Sequence, residues 1–180
     1  MSWAFEHGRR SSHGSGLDVG LGGRRRRPRI SGRALGAGVP TDAQYRRRAE
    51  LVGRADGQVV AHAAVLRRFL QIDGRAQLVG DVGLVAVDPA RHGTGLGAAL
   101  LAQVREALCG LGVPFGFLTC GEQVAGFYAR GGWARVPGPT RMIRADGRTQ
   151  VYGGVSMVLA LATPLDAWPS GRIDRNGWEV

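Results

Sequence analysis

The sequence has no lysine, only two cysteines and no apolar run long enough to span a membrane. Cys109 and Cys120 are too few to hold together a secreted domain of this size, so we expect two small buried thiols in a cytoplasmic protein. Hydrophobic residues make up 44% of the 180 residues, which is enough to bury a core. A wholly disordered chain is therefore excluded.

Acidic residues are scarce at one end of the chain. Residues 1–50 carry 11 of the 24 basic residues, all arginine, against four acids, and the remainder carries 13 against ten. Residues 1–40 are rich in Gly, Ser and Arg and have little periodicity, which predicts a disordered arm before a single domain at 41–180. A nucleic-acid tether is the alternative for the arm, but no aromatic residues are interleaved with its arginines. Neither nucleic acid nor a membrane is therefore expected as a partner.

Apolar periodicity divides the domain into alternating strands and helices. The run 58–72, the turn Asp73-Gly74 and the run 77–88 predict a hairpin that ends in a central strand. A helical stripe then follows, and its members are Leu96, Leu100, Leu101, Val104 and Leu108. Residues 113–119 read as a strand, 122–130 as a short helix, and 133–144 and 149–161 as strand-like segments. This order predicts an α/β domain in which helices flank a central mixed, twisted sheet with a parallel βαβ pair.

Three alternate glycines stand between the central strand and the first helix. Gly93, Gly95 and Gly97 allow a tight turn and a close approach to backbone amides. The helix that begins there directs unpaired N–H groups and its positive dipole end at the same place. The spacing is not that of a Rossmann fingerprint, and no Lys-Ser or Lys-Thr follows as in a P-loop. The turn is therefore predicted to cradle an anion such as a pyrophosphate.

The segment 92–97, His-Gly-Thr-Gly-Leu-Gly, resembles motif A of the GNAT superfamily of N-acyltransferases. His92 stands where that family usually has Arg or Gln. The resemblance implies acetyl-CoA, or another acyl-CoA, as the donor, with the pantetheine arm paired to backbone groups of Val85 and Val87 and a hydroxyl contact from Thr94. The implied donor-binding residues are Val85, Val87, His92, Gly93, Thr94, Gly95, Leu96 and Gly97.

The segment 126–133 resembles motif B of the same superfamily, an aromatic pair on a helix followed by a glycine turn and an aromatic residue. This resemblance implies that Tyr128 protonates the leaving thiolate, a task that suits a phenol because it stays protonated at neutral pH. Phe127 is interpreted as a core aromatic.

A base must also take a proton from the ammonium of the acceptor. Asp81 is the first candidate because it lies on the strand that leads into the glycine turn, although it could equally be a strand residue paired to arginine. Glu122 and His62 are the alternatives. His62 lies in an apolar run, which favours a core histidine over a base.

Two families within the superfamily match different stretches. Residues 58–65 and 130–140 are similar to aminoglycoside 2′-N-acetyltransferases, whereas 66–69, 112–117 and 168–177 are similar to NodA, the nodulation N-acyltransferase. Both families acylate the amine of a glucosamine-like sugar. In the aminoglycoside enzymes the acidic C-terminal end helps to bind the antibiotic, which implies acceptor contacts for Trp178, Glu179 and Val180, with a solvated chain end as the alternative.

The sequence therefore predicts an enzyme, an N-acetyltransferase that moves an acetyl or other acyl group from acyl-CoA to a primary amine of an aminoglycoside or amino sugar. A NodA-like enzyme that takes a fatty acyl group from acyl carrier protein stays open, as does a non-catalytic CoA-binding domain with a nucleic-acid tether. A protein-lysine or N-terminal acetyltransferase is a further rival. No metal site is predicted, and a homodimer is compatible with the sequence.

Overall fold

A computed structural model describes residues 4–9, 48–143 and 148–175, with the backbone alone for 4–9 and Arg48. It contains ten strands and two α-helices in these residues. The strands are β1 (Ala4–Arg9), β2 (Arg48–Ala55), β3 (Gln58–Ile72), β4 (Arg75–Val87), β5 (Phe115–Cys120), β6 (Ala134–Arg135), β7 (Thr140–Ile143), β8 (Thr149–Val151), β9 (Val155–Ala160) and β10 (Ile173–Arg175). The helices are α1 (Leu96–Gly110) and α2 (Glu122–Arg130), and short 3-10 turns lie at Pro89–Arg91 and Leu165–Ala167.

A long hairpin of β3 and β4 forms the centre of the sheet. The strands meet at the Asp73-Gly74 turn, where both residues have positive φ (45° and 80°), as a two-residue hairpin of the right twist requires. Pairing starts at Ile72↔Arg75 and runs to Ala61↔Val87. The hairpin predicted from the sequence is confirmed.

The sheet is mixed. Its order is β6-β9-β5-β4-β3-β10-β7-β8, and β2 and β1 extend it from β3. The predicted βαβ unit is β4-α1-β5, and β4 and β5 are parallel. β10 is antiparallel to β3 and parallel to β7, so the last described strand lies close to the central hairpin. The predicted class, α/β with helices against a mixed sheet, is confirmed.

Apolar side chains cover both faces of the sheet. The α1 stripe predicted from the sequence, residues 96, 100, 101, 104 and 108, is at most 5% exposed and packs against β2 to β5. On the other face, Phe115 and Phe117 of β5 pack with Leu70 and Ile173, and the ring of Trp168 lies edge-on to one phenylalanine and parallel to the other. Burying a side chain of this size adds about 1.5–3 kcal/mol to the free energy of unfolding, relative to leaving it exposed.

Some expectations from the sequence need correction. One strand, β1, lies inside the predicted disordered arm and pairs with β2, whereas residues 10–40 lie outside the described residues. The division into an arm and a domain stays a prediction. Cys109 is exposed and only Cys120 is buried, so the expectation of two buried thiols is wrong for Cys109. Neither described helix is long and apolar enough to cross a membrane.

Candidate active site

The strands β4 and β5 separate soon after they meet. They share only the pairs Gly80↔Gly116 and Asp81↔Phe117, although β4 continues to Val87 and β5 to Cys120. The cause lies in β4, where Leu84 has a φ of 52° and the register with β3 shifts by one residue. Such a bulge bends a strand and leaves it locally unpaired. Among the described strands, none pairs with the β5-facing backbone edge of β4 after Asp81, so this edge can pair with the amides of a bound ligand.

The glycine turn follows directly at the end of β4. Asp88 Oδ1 accepts a hydrogen bond from the Ala90 N–H (3.0 Å), which starts a 3-10 turn. Gly93 and Gly95 have φ values of 78° and 85°, in the left-handed region that favours glycine. Because Gly95 offers no side-chain cap to α1, the first N–H groups of this 15-residue helix are left for a ligand.

Two cavities meet around Phe127, next to this turn. The first, of about 450 Å³, lies between the end of β4, the turn and α2, and the second, of about 520 Å³, lies between α1 and α2. Lining the first are Val85, Val87, Arg91, His92, Gly93, Gly97, Val124, Phe127, Tyr128 and Arg130. Lining the second are Gly93, Gly95, Gly97, Ala98, Leu101, Ala102, Arg105, Phe127, Arg130 and Gly131. Phe127 is therefore a wall of the cavities and not only a core aromatic.

The structure brings most of the predicted donor-binding residues together. Val85, Val87, His92, Gly93 and Gly97 line the first cavity together with the predicted acid Tyr128, and Gly95 lines the second. Two side chains point elsewhere: the Thr94 hydroxyl donates to the Arg91 carbonyl (2.7 Å), and Leu96 is fully buried in the core. The Thr94 hydroxyl therefore keeps only its acceptor lone pairs for a ligand, and Leu96 can offer only its backbone.

Tyr128 is 8% exposed and its ring packs edge-on against Phe127 and Trp133 (ring centroids at 5.1 and 6.2 Å). Burial first, and then the electrostatic effects of Cys120 and Tyr152, raise the pKa of Tyr128 to about 12. Burial has this effect because it disfavours the charged phenolate. Among the described residues no group hydrogen-bonds the hydroxyl. The phenol is thus protonated at neutral pH and can donate to a ligand atom in the cavity.

Asp81 is fully buried and held by two arginines. Its carboxylate accepts hydrogen bonds from Arg68 (2.8 Å) and Arg175 (2.8–2.9 Å), which are 1% and 2% exposed. Arg175 also donates to the Thr119 hydroxyl (3.2 Å). A base has to reach the acceptor, and a carboxylate enclosed by two guanidinium groups does not. The structure thus favours the second interpretation of Asp81, a strand residue paired to arginine.

The second candidate base is also paired. Glu122 lies at the start of α2 and makes a bidentate ion pair with Arg135, and this hydrogen bonding lowers the pKa of Glu122. Both side chains are more than half exposed. Burial raises the pKa of the nearby Cys120 thiol, which is correspondingly a poor nucleophile at neutral pH.

Three arginines lie at the cavities, and two of them, Arg105 and Arg130, were missed in the sequence. Arg91 and Arg130 line the first cavity, and Arg105 and Arg130 line the second. Arg91 precedes His92 directly and Arg130 follows Tyr128 by two positions, so proximity to the motifs was the available signal. The predicted acceptor residues Trp178, Glu179 and Val180 lie outside the described residues and stay a prediction.

Comparisons with solved structures return acetyltransferases of the GNAT family at low identity. A CoA complex of the GNAT family N-acetyltransferase YhbS from Escherichia coli is 19% identical over 70% of this chain and 66% of that one, with a TM-score of 0.49. ElaA from Escherichia coli is 19% identical over 63% and 68% of the two chains (TM-score 0.46). A GCN5-related N-acetyltransferase from Kribbella flavida is 26% identical over 50% of this chain and only 23% of its own (TM-score 0.45).

A match to a protein family covers more of the chain. No curated protein sequence matches it. The family model of nodulation protein A (NodA), however, matches residues 38–180, which is most of the chain and includes every cavity residue named above. The predicted resemblance to NodA is confirmed, whereas the resemblance to aminoglycoside 2′-N-acetyltransferases is not shown. The match supports the predicted enzyme class, an N-acyltransferase. The chain belongs to the NodA family.

Proposed function

We propose that this chain is an N-acyltransferase that moves an acyl group from a pantetheine thioester to a primary amine. The observation that carries the proposal is the first cavity, where the glycine turn, the end of β4 and the Tyr128 phenol meet. An anion cradle, an open strand edge and a proton donor are three requirements for binding and cleaving such a thioester. Membership of the NodA family supports the same reaction class.

Donor binding uses the turn and the strand edge. A pyrophosphate at Gly93 and Gly95 would accept hydrogen bonds from the amides at the start of α1, with Arg91 and Arg130 at the same cavity to balance its charge. The open edge of β4 at Val85 and Val87 would pair with the two amides of a pantetheine arm, much as an added strand does. The thioester would then reach the gap between β4 and β5.

Tyr128 would assist departure of the thiolate. When the acceptor nitrogen bonds to the acyl carbon, the carbon–sulfur bond breaks and sulfur gains negative charge. The phenol donates its proton to that sulfur, which it can do because it is still protonated at neutral pH. Its packing between Phe127 and Trp133 holds the ring in one orientation, so little ordering is needed at the moment of reaction.

The acceptor we propose is the primary amine of an amino sugar. The support is the NodA family match. The contacts of Trp178, Glu179 and Val180 with this acceptor stay a prediction. An aminoglycoside is one such amino sugar, and it enters the acceptor screen as a test compound. Glucosamine oligosaccharides are the other members of the screen.

An acyl carrier protein is the second candidate for the donor. Arg91, Arg105 and Arg130 line the two cavities where the donor would enter, and their charge suits the acidic surface of a carrier protein as well as the phosphates of CoA. His92 in the place of the usual Arg or Gln fits a donor with fewer phosphates. A carrier protein presents one phosphodiester on its pantetheine, whereas CoA presents three phosphates.

The test is thermal unfolding of the full chain with CoA, acetyl-CoA, palmitoyl-CoA and palmitoyl acyl carrier protein. A ligand of the native state at 100 times its Kd stabilises it by about 2.7 kcal/mol, which shifts the midpoint by several degrees. A shift with an acyl-CoA identifies CoA as the donor, and a shift with the carrier protein alone identifies the second candidate. Product is then sought by mass spectrometry with kanamycin and glucosamine tetramer. No shift with any of the four would contradict the proposal.

Gly97→Ala tests whether the cavity at the turn binds the donor. A Cβ at this position would lie 2.8 Å from Cε2 of Phe127, so the ring has to move within the cavities that it lines. We expect the Kd of the bound acyl donor, measured by calorimetry, to rise by about tenfold or more, a loss near 1.4 kcal/mol. Gly110→Ala is the matched control at the other end of α1, where an added Cβ meets nothing within 4 Å and donor affinity should not change. Equal Kd values for the two variants would contradict the assignment.

A further inference from the structure

His62 is the base candidate that the structure leaves available. It lies on β3, opposite Ala86 of β4, and is only partly buried. Its Nδ1 is 2.9 Å from the carbonyl oxygen of Leu84, the bulge residue that opens the gap beside β5. The interpretation of His62 as a core histidine is therefore wrong in one respect, because the ring is not enclosed by the core.

The Leu84 contact determines the tautomer of the ring. A carbonyl oxygen can only accept a hydrogen bond, so Nδ1 carries the proton and donates it. In the neutral ring Nε2 is then an unprotonated acceptor. A histidine whose Nδ1–H is held by a carbonyl, with Nε2 free of a proton, has the arrangement of a general base that is oriented by a third group.

His62 lies on the face of the sheet opposite the donor cavity. Its chain neighbours Ala61 and Ala63 belong to the core under α1, so the side chain between them points to the other face. Val85, Val87 and Tyr128 are on the α1 side. A thioester that enters the β4–β5 gap from the α1 side would meet an amine that arrives from the His62 side.

The described residues next to His62 on β4 are accessible to an acceptor. Leu84 is 54% exposed and Ala86 is exposed too. Among the described side chains, the charged groups that face this region are few. Glu50 of β2 lies two residue pairs along, on the same face, and Asp88 follows the end of β4, where its side chain caps the 3-10 turn. Neither lies directly opposite His62, whose partners in the ladder are Val52 and Ala86.

We infer that His62 is the general base that deprotonates the acceptor amine, an inference that rests on the proposed acyl transfer. Nε2 takes one proton from the acceptor ammonium, directly or through one water, and the freed amine attacks the acyl carbon. The C–N bond forms as the C–S bond breaks, and Tyr128 gives its proton to the sulfur. The attacking nitrogen loses its second proton as the amide forms, and this proton returns to the Tyr128 phenolate directly or through water. The net change is one proton gained at His62, which then passes to solvent.

The test compares His62→Gln with His92→Gln in the full chain. Gln retains an amide N–H that can still donate to the Leu84 carbonyl but has no basic nitrogen, so the strand geometry is preserved. With palmitoyl-CoA or its carrier protein as donor and glucosamine tetramer as acceptor, we expect His62→Gln to lower kcat by about 10²–10⁴-fold. The donor KM should be unchanged, and the acid limb of the kcat–pH profile should disappear. His92→Gln, which places the residue usual in the resembled family at the donor cavity, should change only the donor KM and keep the acid limb.

The outcomes separate the base assignment from the proposed function. A wild-type kcat with an acid limb that persists in His62→Gln would overturn the assignment and leave acyl transfer intact. A wild-type chain that binds no donor and forms no product would overturn the function. A measurement without substrate bears on His62 alone: long-range ¹H–¹⁵N spectra of the imidazole should show a proton on Nδ1. A neutral ring with its proton on Nε2 would overturn the assignment.

Discussion

Replacing Tyr128 by phenylalanine is expected to lower kcat by about 10²–10³-fold while the donor KM stays within about threefold. The substitution removes only the hydroxyl, so the ring still packs between Phe127 and Trp133. Without the proton, the sulfur leaves as a bare thiolate in a cavity that also contains Val85 and Val87. Product formation followed by mass spectrometry under saturating donor and acceptor measures the effect.

Two further observations keep this prediction testable. The thermal shift with the donor should be the same in the variant and the wild type, because the hydroxyl serves chemistry and not binding. Since the pKa of Tyr128 is about 12, the wild-type kcat should not fall between about pH 9 and 10, where an ordinary tyrosine begins to ionise. A Tyr128→Phe variant with nearly full kcat would assign the proton donation to another group.

Asp81→Asn should cost about 3–5 kcal/mol of unfolding free energy, the range for removing one partner of a buried ion pair. The amide cannot balance Arg68 and Arg175, whose guanidinium groups are both nearly inaccessible to water. For a domain with a total stability of about 5–15 kcal/mol, that loss is large enough to leave much of the protein unfolded at growth temperature. Urea unfolding at low temperature, followed by circular dichroism, measures it.

Asp174→Asn is the matched control for Asp81. Its ion pairs with Arg141 and Arg172 join side chains that are 22–50% exposed, and we expect a loss below about 1 kcal/mol. If Asp81 were the catalytic base, its amide variant would instead keep its stability and lose kcat. That result would show that Asp81 on β4, and not His62, is the base.

The features that were predicted correctly from the sequence are those whose signal lies within a few neighbouring residues. The α1 stripe shows the helical period, and the Asp73-Gly74 dipeptide is a strong local turn signal. The glycine turn is equally local, because three alternate glycines between a strand and a helix already predict a tight turn. Tyr128 could be placed beside this turn only through the resemblance to motif B.

The features that were missed or left open depend on contacts between distant residues. Asp81 is 13 positions from Arg68 and 94 from Arg175 in the sequence. No local pattern predicts that β10 pairs with β3. The bulge is hidden for another reason. Leucine rarely adopts a positive φ, so nothing in the run 77–88 indicates that Leu84 breaks the ladder. Because the bulge could not be predicted, the contact of His62 with Leu84 could not be predicted either. The apolar run around His62 favoured a core residue instead.

The brief pairing of β4 with β5 has a consequence for the lifetime of the protein. Strands β6, β9 and β5 form one part of the sheet, and the other part starts at β4. Only two backbone residue pairs, both between β4 and β5, join these parts in the described residues. A donor bound along β4, as proposed above, would add contacts across this junction that the free chain lacks. Opening of the junction should therefore become rarer as donor concentration rises, because a ligand of the native state suppresses excursions from it. Starvation for the donor would then speed proteolysis of the enzyme as well as slowing its turnover.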